Sequence, residues 1–436
     1  MHTKAHSHSS MFGVNWSPAN AALAFLLTLL FLILLLLFLT LIAQPVQGQT
    51  YRVLYNFTGG LDGASSLVGV TMDAAGNLYG TTTVGGLAGT ECDPQGCGTA
   101  FRLSPRGSQW TFALLHNFSG DDGANPESTL AIGPDGNLYG STFQGGRDSF
   151  ANGACGVIYS LTPPNPPPTD VVTGWSETVL HRFSGPDGSD PDPGGGLTFD
   201  PQGNLYGEAG YSGPYNSGNV FELVRSANGW AFNVLYNFAN MDWPDGGVRF
   251  DRAGNLYGTT MYGGAGWGTV FQLTPTDNGW IENIVHNFNP ELDGASPYGG
   301  VFVDSSGNLY GATPEFGAHG ADGAVFELSL ENGHWIFSTL HGFTGPDGAE
   351  PWGSVTMDQG GNLYGTTSMG GTDDLGTVFR LSPSNGGWTL TTLHAFDGTD
   401  GANPWSNVTI GPDGKLYGTT QSGGSYGKGV VWEITP

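Results

Sequence analysis

Carboxylates and aromatic rings recur together in the Gly-rich segments of this sequence. An Asp-Gly pair recurs at seven corresponding places along the chain, at Asp62, Asp122, Asp187, Asp245, Asp293, Asp347 and Asp400. Aromatic residues accompany several of these pairs, and a second group of Gly-rich segments carries more: Trp243, Tyr298, Trp352, Trp405, Phe143, Tyr211, Tyr215, Tyr262, Trp267, Phe316 and Tyr426. Aromatic rings stack on the apolar C–H faces of sugars, and carboxylates accept hydroxyl protons. The pattern therefore suits carbohydrate binding.

A structural interpretation competes with this one. An Asp before Gly usually bonds its own backbone in a turn, and rings in Gly-Gly segments can pack against a neighbouring repeat. What remains is a candidate ligand-binding set of nine residues, namely Trp243, Tyr298, Trp352, Trp405, Tyr262, Trp267, Tyr426, Asp347 and Asp400. We predict no catalytic residue.

Metal binding has weaker support. The segment DGSDPD offers Asp187, Asp190 and Asp192, but calcium takes six to eight oxygen ligands, and the spacing of a calcium loop is missing. Calcium is the only cofactor that we consider. Histidine occupies one recurrent position, where two other copies carry Tyr55 and Tyr236: His116, His181, His286, His341 and His394. Exchange of His with Tyr indicates a packed, hydrogen-bonded site rather than a metal ligand.

The elements that position these residues follow a repeat. The heptapeptide GNLYGTT at Gly76–Thr82 returns six times with small changes. Its leucines lie 51 to 67 residues apart, at Leu78, Leu138, Leu205, Leu256, Leu309, Leu363 and Leu416. Repeats of about 40 to 50 residues with several strands each are typical of propeller blades.

Each repeat is predicted to contain four strands, A to D. In the first complete repeat these are Val70–Asp73, the NLYGTT segment, Gly98–Pro105 and Trp110–Phe118. They are rich in β-branched and aromatic residues, as strands usually are. In such a meander the B–C and D–A loops, which carry the aromatic residues and the Asp-Gly pairs, lie on one face.

The two ends of the repeat region predict how the ring closes. Tyr51–Phe57 is a strand D with no strand before it, and the chain ends at Pro436 on a strand C with no D after it. The N-terminal strand is therefore expected to complete the last blade, which removes exposed sheet edges. The predicted fold is all-β: a seven-bladed β-propeller of four-stranded antiparallel blades.

The N-terminus reads as a targeting segment. Ala21–Ala43 is an unbroken apolar run preceded by Lys4 and three histidines, long enough for a signal peptide or a membrane anchor. We expect cleavage after Gly48, with an uncleaved anchor as the alternative. Residues 1–48 are thus the signal peptide or anchor, and residues 49–436 are the propeller. Both alternatives predict a secreted or extracytoplasmic protein.

Cysteine and charge refine this expectation. Of Cys92, Cys97 and Cys155, the first two are our first choice for a disulfide, with Cys92–Cys155 as the alternative.

The chain has 38 acidic and 12 basic residues, and phosphate backbones are bound by Lys and Arg. We therefore expect no nucleic-acid partner and no membrane contact except through the N-terminal segment. The expected partner of this monomer is an extracellular polymer or a surface protein.

The repeat resembles the GloVer tandem-repeat proteins, a family of exported proteins with varied surface anchors. The resemblance depends on GNLYGTTxxGG, on GTVFxLTP and on the WxxxxLHxF strand with its DGAxP tail, and it covers residues 51–436 in seven copies. It implies an exported, β-propeller-like repeat protein and no particular activity. No C-terminal sorting segment follows the last strand, so we expect only the N-terminal stretch to serve as an anchor.

Three functional hypotheses follow. The first is an extracellular binding or interaction module for neutral glycans, because the acidic charge disfavours polyanions. The second is a carbohydrate-active enzyme that uses a carboxylate pair. We do not favour it, because nearly every Asp belongs to the repeat. The third is a structural surface protein without a small ligand.

Overall fold

The computed structural model describes residue 27 and most of the chain from residue 49 onward. The described ranges are 49–87, 92, 94–146, 155–164, 174–191, 194–227, 229–317 and 322–436. The expected targeting segment lies outside them, except for Leu27. Within the described residues no helix is both long and apolar enough to cross a membrane. The chain divides into Met1–Gly48 and Gln49–Pro436, and every strand belongs to the second unit.

The second unit is a ring of seven antiparallel sheets, here called blades. A first strand, β1 (Thr50–Asn56), precedes the complete blades. Blade 1 consists of β2 (Thr71–Met72), β3 (Leu78–Thr82), β4 (Thr99–Arg106) and β5 (Gln109–Asn117), and blade 2 of β6 (Ala131–Ile132), β7 (Leu138–Thr142), β8 (Val157–Thr162) and β9 (Ser176–Arg182). Blade 3 has a fifth strand and consists of β10 (Ser189–Pro191), β11 (Thr198–Phe199), β12 (Leu205–Tyr211), β13 (Asn219–Ser226) and β14 (Gly229–Asn237).

The remaining blades repeat the four-stranded order. Blade 4 consists of β15 (Pro244–Phe250), β16 (Leu256–Thr260), β17 (Thr269–Thr276) and β18 (Gly279–Asn287), and blade 5 of β19 (Phe302–Val303), β20 (Leu309–Thr313), β21 (Ala324–Glu331) and β22 (His334–Gly342). Blade 6 consists of β23 (Thr356–Met357), β24 (Leu363–Thr367), β25 (Thr377–Ser384) and β26 (Gly387–Ala395), and blade 7 begins with β27 (Thr409–Ile410), β28 (Leu416–Thr419) and β29 (Val430–Thr435). The all-β propeller prediction is confirmed.

The N-terminal strand closes the ring. β1 pairs antiparallel with β29, from Thr50 opposite Thr435 to Asn56 opposite Val430. The fourth strand of blade 7 therefore comes from the start of the propeller. This pairing joins the two ends of the ring, as predicted from the order of the strands, and it gives β29 a partner along its outer edge.

The hydrophobic core lies between neighbouring blades. At the closure, Tyr417 and Val431 of blade 7 pack in one cluster with Leu78, Phe101 and Leu103 of blade 1. Six further clusters repeat this arrangement around the ring. Each blade therefore buries its faces against its neighbours, as stacked repeats do.

The recurrent heptapeptide has a structural role that the bonds of its first copy explain. Asp73, in the turn between β2 and β3, accepts hydrogen bonds from the backbone N–H and the side-chain amide of Asn77 at 2.9 and 2.7 Å. It also accepts one from the hydroxyl of Tyr79 at 3.0 Å. Gly80 lies opposite Phe101, and a Cβ on Gly80 would meet the Phe101 ring at 2.6 Å. Asn and Tyr thus hold the turn, and Gly makes room for the ring on the next strand.

A disulfide joins Cys92 and Cys97, with Cα atoms 5.1 Å apart. This is the pairing that the sequence favoured. Cys155 lies at the start of blade 2's third strand and is partly buried beside the core between blades 2 and 3.

Candidate functional site

A carboxylate clamp holds six of the seven loops that connect consecutive blades. In the loop after blade 1, Asp122 Oδ2 lies 2.9 Å from His116 Nε2, and Asp122 Oδ1 accepts the N–H and the hydroxyl of Ser119 at 2.8 and 2.9 Å. The same pairing, at 2.7 to 3.0 Å, joins His181 to Asp187, His286 to Asp293, His341 to Asp347, His394 to Asp400 and Tyr55 to Asp62.

The clamp occupies both aspartates of the predicted ligand set. Asp347 is bonded to His341 and Thr344, and Asp400 to His394 and the N–H of Asp397. Burial alone would raise the pKa of Asp347, but the bonds from Thr344 and His341 outweigh burial and lower it. Asp347 therefore stabilises its loop in the ionised form, and the oxygens of Asp400 are likewise occupied by hydrogen bonds within its loop.

The histidines of the clamp are packed against the next blade. The ring of His181 stacks on Phe232 with centroids 3.8 Å apart, and burial lowers its pKa. The prediction of a packed, hydrogen-bonded position is confirmed for His181.

The seventh loop, between blades 3 and 4, departs from the clamp. It is called the short loop below, because only six positions separate Phe238 from Pro244 where eight separate Phe118 from Pro126. The hydroxyl of Tyr236 bonds Glu282 Oε2 at 2.7 Å instead of a loop aspartate. Asp245 was grouped with the loop aspartates by its Asp-Gly sequence. That grouping is wrong, because Asp245 lies inside β15 and pairs with Thr259.

Three of the predicted aromatic residues close the centre of the ring. Trp352 and Trp405 are stacked with centroids 4.7 Å apart, and Tyr298 packs edge-on against Trp352 at 5.6 Å. Together with Leu67 and Glu127 they line a cavity of about 40 Å³. One water molecule occupies roughly 30 Å³ in the liquid. The cavity is therefore too small for a sugar ring.

Glu127 is the unmatched polar group of this central cavity. Burial raises its pKa to about 7, and the charge of Asp190 adds to that effect. Burial also raises the pKa of Asp190 to about 6. Around neutral pH the centre of the ring therefore holds a partly protonated carboxyl beside packed rings.

Trp267 lies in a larger groove toward the rim, on the face of the loops. The groove has a volume of about 1080 Å³ and is formed by the loops around blades 4, 5 and 6. Trp267 is 39% exposed and Phe316 is 50% exposed. Their rings meet edge to face at 5.7 Å and form one corner of the groove. Phe316 has a φ of 58°, which is rare for an aromatic residue and marks local strain.

Carboxylates line the same groove, and several are held in place. Glu315 accepts the hydroxyl of Ser296 at 3.2 Å. Glu350 accepts the indole N–H of Trp352 at 3.1 Å and the hydroxyl of Ser368 at 3.3 Å. The other acidic lining residues are Glu291, Asp322 and Asp374. Trp352 thus contributes to the groove through Glu350, although its ring lies at the centre.

The remaining predicted aromatic residues are separated. Trp243 and Tyr262 line a pocket of about 620 Å³ beside the short loop. Tyr426, in the B–C loop of blade 7, is 61% exposed and is not among the lining residues of these three cavities. The nine predicted residues are therefore not one site but are distributed over the groove, the pocket, the centre and the clamps.

The calcium prediction gains no support from the described residues. Both oxygens of Asp187 are engaged by His181 and Ser184, and Asp192 lies outside the described residues. No group of three or more Asp, Glu, His or Cys side chains in the described part of the chain is arranged to hold a metal ion.

Sequence reasoning missed Glu127, Glu315, Glu350 and Glu282. Each occupies a position that changes from blade to blade. The residue that follows the loop proline, for example, is Glu127, Asp245, Tyr298, Trp352 or Trp405 in different loops. A search for variable positions within the constant repeat is the signal that would have found Glu127.

Comparison with known families decides the identity of the repeat. The model of the Gloeobacter/Verrucomicrobia repeat matches residues 40–264 and 244–436. The chain belongs to this repeat family. The resemblance seen in the heptapeptide and its companion motifs is thereby confirmed. Comparison with curated protein sequences gives no match.

Solved structures show the same fold at low sequence identity. A polysaccharide lyase, an ulvan lyase bound to -[GlcA(1-4)Rha3S]-, is 10% identical with a TM-score of 0.53, over 88% of this chain and 95% of the lyase. The extracellular domain of a candidate one-component system from B. thetaiotaomicron is 10% identical with a TM-score of 0.50, over 87% of this chain and 39% of that protein. At this identity the likeness shows the propeller fold alone.

Proposed function

We propose that this chain is an extracellular binding module for neutral glycans and that the groove is its binding site. The observation that carries the proposal is the exposed corner of Trp267 and Phe316 above carboxylates, in a groove of about 1080 Å³. A sugar ring presents apolar C–H faces to such rings and hydroxyl donors to such carboxylates. The ulvan lyase shows that a propeller can bind a polysaccharide, but the fold alone does not carry that function to this chain.

The charge of the groove supports a neutral ligand. Its described lining includes Glu291, Glu315, Asp322, Glu350 and Asp374, and none of the described lining residues is Lys or Arg. The chain as a whole has a formal charge of −26. An acidic polysaccharide would be repelled at this surface, whereas uncharged hydroxyls would find acceptors there.

The enzyme alternative would need an unmatched carboxylate pair facing a site that a sugar can enter. Glu127 and Asp190 are unmatched, but the central cavity beside Glu127 measures only about 40 Å³. Five acidic residues of the groove remain as possible acid–base groups. Product analysis of any glycan that binds is therefore part of the test.

The test is a polysaccharide-binding screen of the full chain, purified in a polyoxyethylene detergent that carries no sugar headgroup. The decisive variant is Trp267→Ala, which removes one wall of the corner. We expect it to weaken binding by about tenfold or more, as truncation of a central Trp usually does. Tyr426→Ala is the matched control, because it removes an exposed ring from the same face outside the groove.

Three outcomes are informative. Loss of binding by Trp267→Ala, with unchanged melting temperature and a normal Tyr426→Ala control, supports the groove. Equal effects of both variants would refute this location. No binding to any neutral glycan would refute the glycan proposal and leave a structural surface protein as the better interpretation.

A further inference from the structure

The pocket beside the short loop is chemically different from the groove. It has a volume of about 620 Å³ and lies between the short loop, the B–C loop of blade 4 and strand β18. Its side-chain walls are Asn240, Met241, Asp242, Trp243, Tyr262, Glu282 and Ile284. Asp242 keeps a bond from the backbone N–H of Ala239, but it lacks the bond to a strand His or Tyr that completes the clamp in the other six loops.

Two aromatic rings form adjacent walls of this pocket. Trp243 and Tyr262 meet at 5.1 Å with their planes 85° apart. Tyr211 packs behind Trp243 with ring centroids 4.6 Å apart and holds it in place. Aromatic corners of this kind bind quaternary ammonium groups through the negative faces of the rings.

Two carboxylates supply the charge that such a cation requires. Asp242 and Glu282 both line the pocket, and neither is paired with Lys or Arg among the described residues. Burial raises the pKa of Asp242 to about 6, and the charge of Glu282 adds to the effect. Tyr236 fixes Glu282 through its 2.7 Å hydrogen bond. The pocket thus contains two close negative charges that a bound cation would neutralise.

The pocket wall formed by Trp243 contains a buried hydrogen-bond donor and a strained backbone. The indole Nε1 of Trp243 is buried and has no hydrogen-bond acceptor in the structure, which is costly unless something satisfies it. Trp243 has a φ of 49° and Met241 a φ of 60°, a strained backbone for non-Gly residues. The carbonyls of Asp242 and Trp243 are nonetheless bonded to Tyr262 N and Met261 N at 3.1 and 2.9 Å.

We propose that the pocket binds an organic ammonium cation, such as the quaternary ammonium group of an amino alcohol. The ammonium group lies in the corner of Trp243 and Tyr262 and pairs with Asp242 and Glu282. This site is separate from the groove and does not depend on glycan binding there.

A neutral ligand and a metal ion fit the same pocket less well. A neutral ligand would leave the repulsion between the two carboxylates in place. A metal ion would need more ligands than these, and the described residues contain no group of three suitable side chains. Of these three kinds of ligand, the organic cation is the one that also interacts with the faces of Trp243 and Tyr262.

The experiment measures the affinity of the full chain for choline by titration calorimetry in a polyoxyethylene detergent. The neutral isostere 3,3-dimethyl-1-butanol is titrated in parallel, because it has the same shape without the charge. We expect choline to bind in the millimolar range or tighter and the isostere to bind at least about tenfold more weakly. Sedimentation with phosphatidylcholine vesicles, against phosphatidylglycerol vesicles, distinguishes a lipid headgroup from a free amino alcohol as the source of the cation.

Two pairs of variants locate the site. Glu282→Gln removes one charge and should weaken choline binding about tenfold. Glu327→Gln makes the same change at another Tyr–Glu bond, within blade 5 (2.8 Å, to Tyr310), and should leave the affinity unchanged. Tyr262→Ala should act like Glu282→Gln, and Tyr426→Ala should have no effect. Equal affinities for choline and its isostere would overturn the proposal. So would an unchanged affinity in both pocket variants, or no choline binding into the tens of millimolar.

Discussion

The six clamped loops and the short loop carry out the same connection in opposite ways. In the clamped loops an aspartate bonds the His or Tyr of the preceding strand at 2.7 to 3.0 Å. In the short loop the corresponding Tyr236 turns to Glu282, and Asp242 is left in a pocket with a raised pKa. In the clamped loops the carboxylate is bonded within the fold. In the short loop two carboxylates, Asp242 and Glu282, line a cavity.

This difference shows where function can reside in a repeat protein. A residue that is the same in every blade has a structural partner in every blade. A position at which one blade departs has lost that structural partner and is available to a ligand. The short loop lacks two residues, and in it Asn240 and Met241 have positive φ. The positive φ of Trp243 is shared by the residue before the proline in other loops, such as Asn125 and Glu350.

The strongest way to break the comparison is to remove a clamp. Asp293 is only 7% exposed and bonds His286 at 2.7 Å and the N–H of Asn289 at 3.3 Å. Asp293→Ala removes the acceptor of the partly buried His286 and of the backbone N–H of the exposed Asn289. We expect a loss of roughly 1–3 kcal/mol in the free energy of unfolding, measured by chemical denaturation.

Asp242→Ala is the matched variant in the short loop. It removes the same side chain from a place where the aspartate bonds the N–H of Ala239 but no strand His or Tyr, and we expect a change within about 1 kcal/mol. Equal losses for Asp293→Ala and Asp242→Ala would show that the short-loop aspartate is as structural as the others and would refute the contrast.

Glu127 sharpens the comparison at the centre of the ring. Its pKa is about 7 in the folded chain, above the ordinary value of 4.5. The contribution of the neutral Glu127 carboxyl to the free energy of unfolding is therefore fully present below pH 4.5. It is lost as the pH rises through 7. Glu127→Gln keeps the shape and removes the titration, so the variant should be more stable than the natural chain by about 1–3 kcal/mol at pH 8 and equally stable near pH 4.

Thermal unfolding at several pH values measures this effect. Glu291→Gln is the control, because it makes the same chemical change at an exposed position in the groove. A Glu127→Gln profile parallel to that of the natural chain would mean that Glu127 is solvated rather than buried.

The constant positions made the fold predictable. The spacing of Leu78 and its equivalents predicted seven blades, and the unmatched strand at Tyr51–Phe57 predicted the closure that the pairing of β1 with β29 confirms. These features are repeated, so each copy supports the same interpretation. The exchange of His116 with Tyr55 across copies likewise predicted the packed role of that position.

The candidate sites were less predictable, for physical reasons. The sequence around Trp352 and Trp405 would be the same whether these rings faced solvent or stacked on each other. Only the structure shows that they are stacked, with centroids 4.7 Å apart. Glu282 lies on strand β18, and no local pattern indicates that Tyr236 from another blade bonds it. Such contacts join residues that are distant in sequence, so spacing carries no information about them.

The smallest expected effect is also the most discriminating test. An Asp→Asn substitution should change the stability in opposite directions in a clamped loop and in the short loop. Asp347 has a lowered pKa, so its contribution to stability is present above its ordinary pKa and is lost as the pH falls through the lowered value. Asp242 has a raised pKa of about 6, so its ionisation costs stability as the pH rises through 6. At pH 8 we expect Asp347→Asn to destabilise and Asp242→Asn to stabilise, each by roughly 1 kcal/mol after allowance for partial exposure. Melting temperatures at pH 8 and pH 4.5 check both signs, and the gain in Asp242→Asn should largely disappear at the lower pH. If both variants lose stability at pH 8, the ionised Asp242 stabilises its loop as Asp347 does. Its charge is then used within the fold and is not available to a ligand in the pocket.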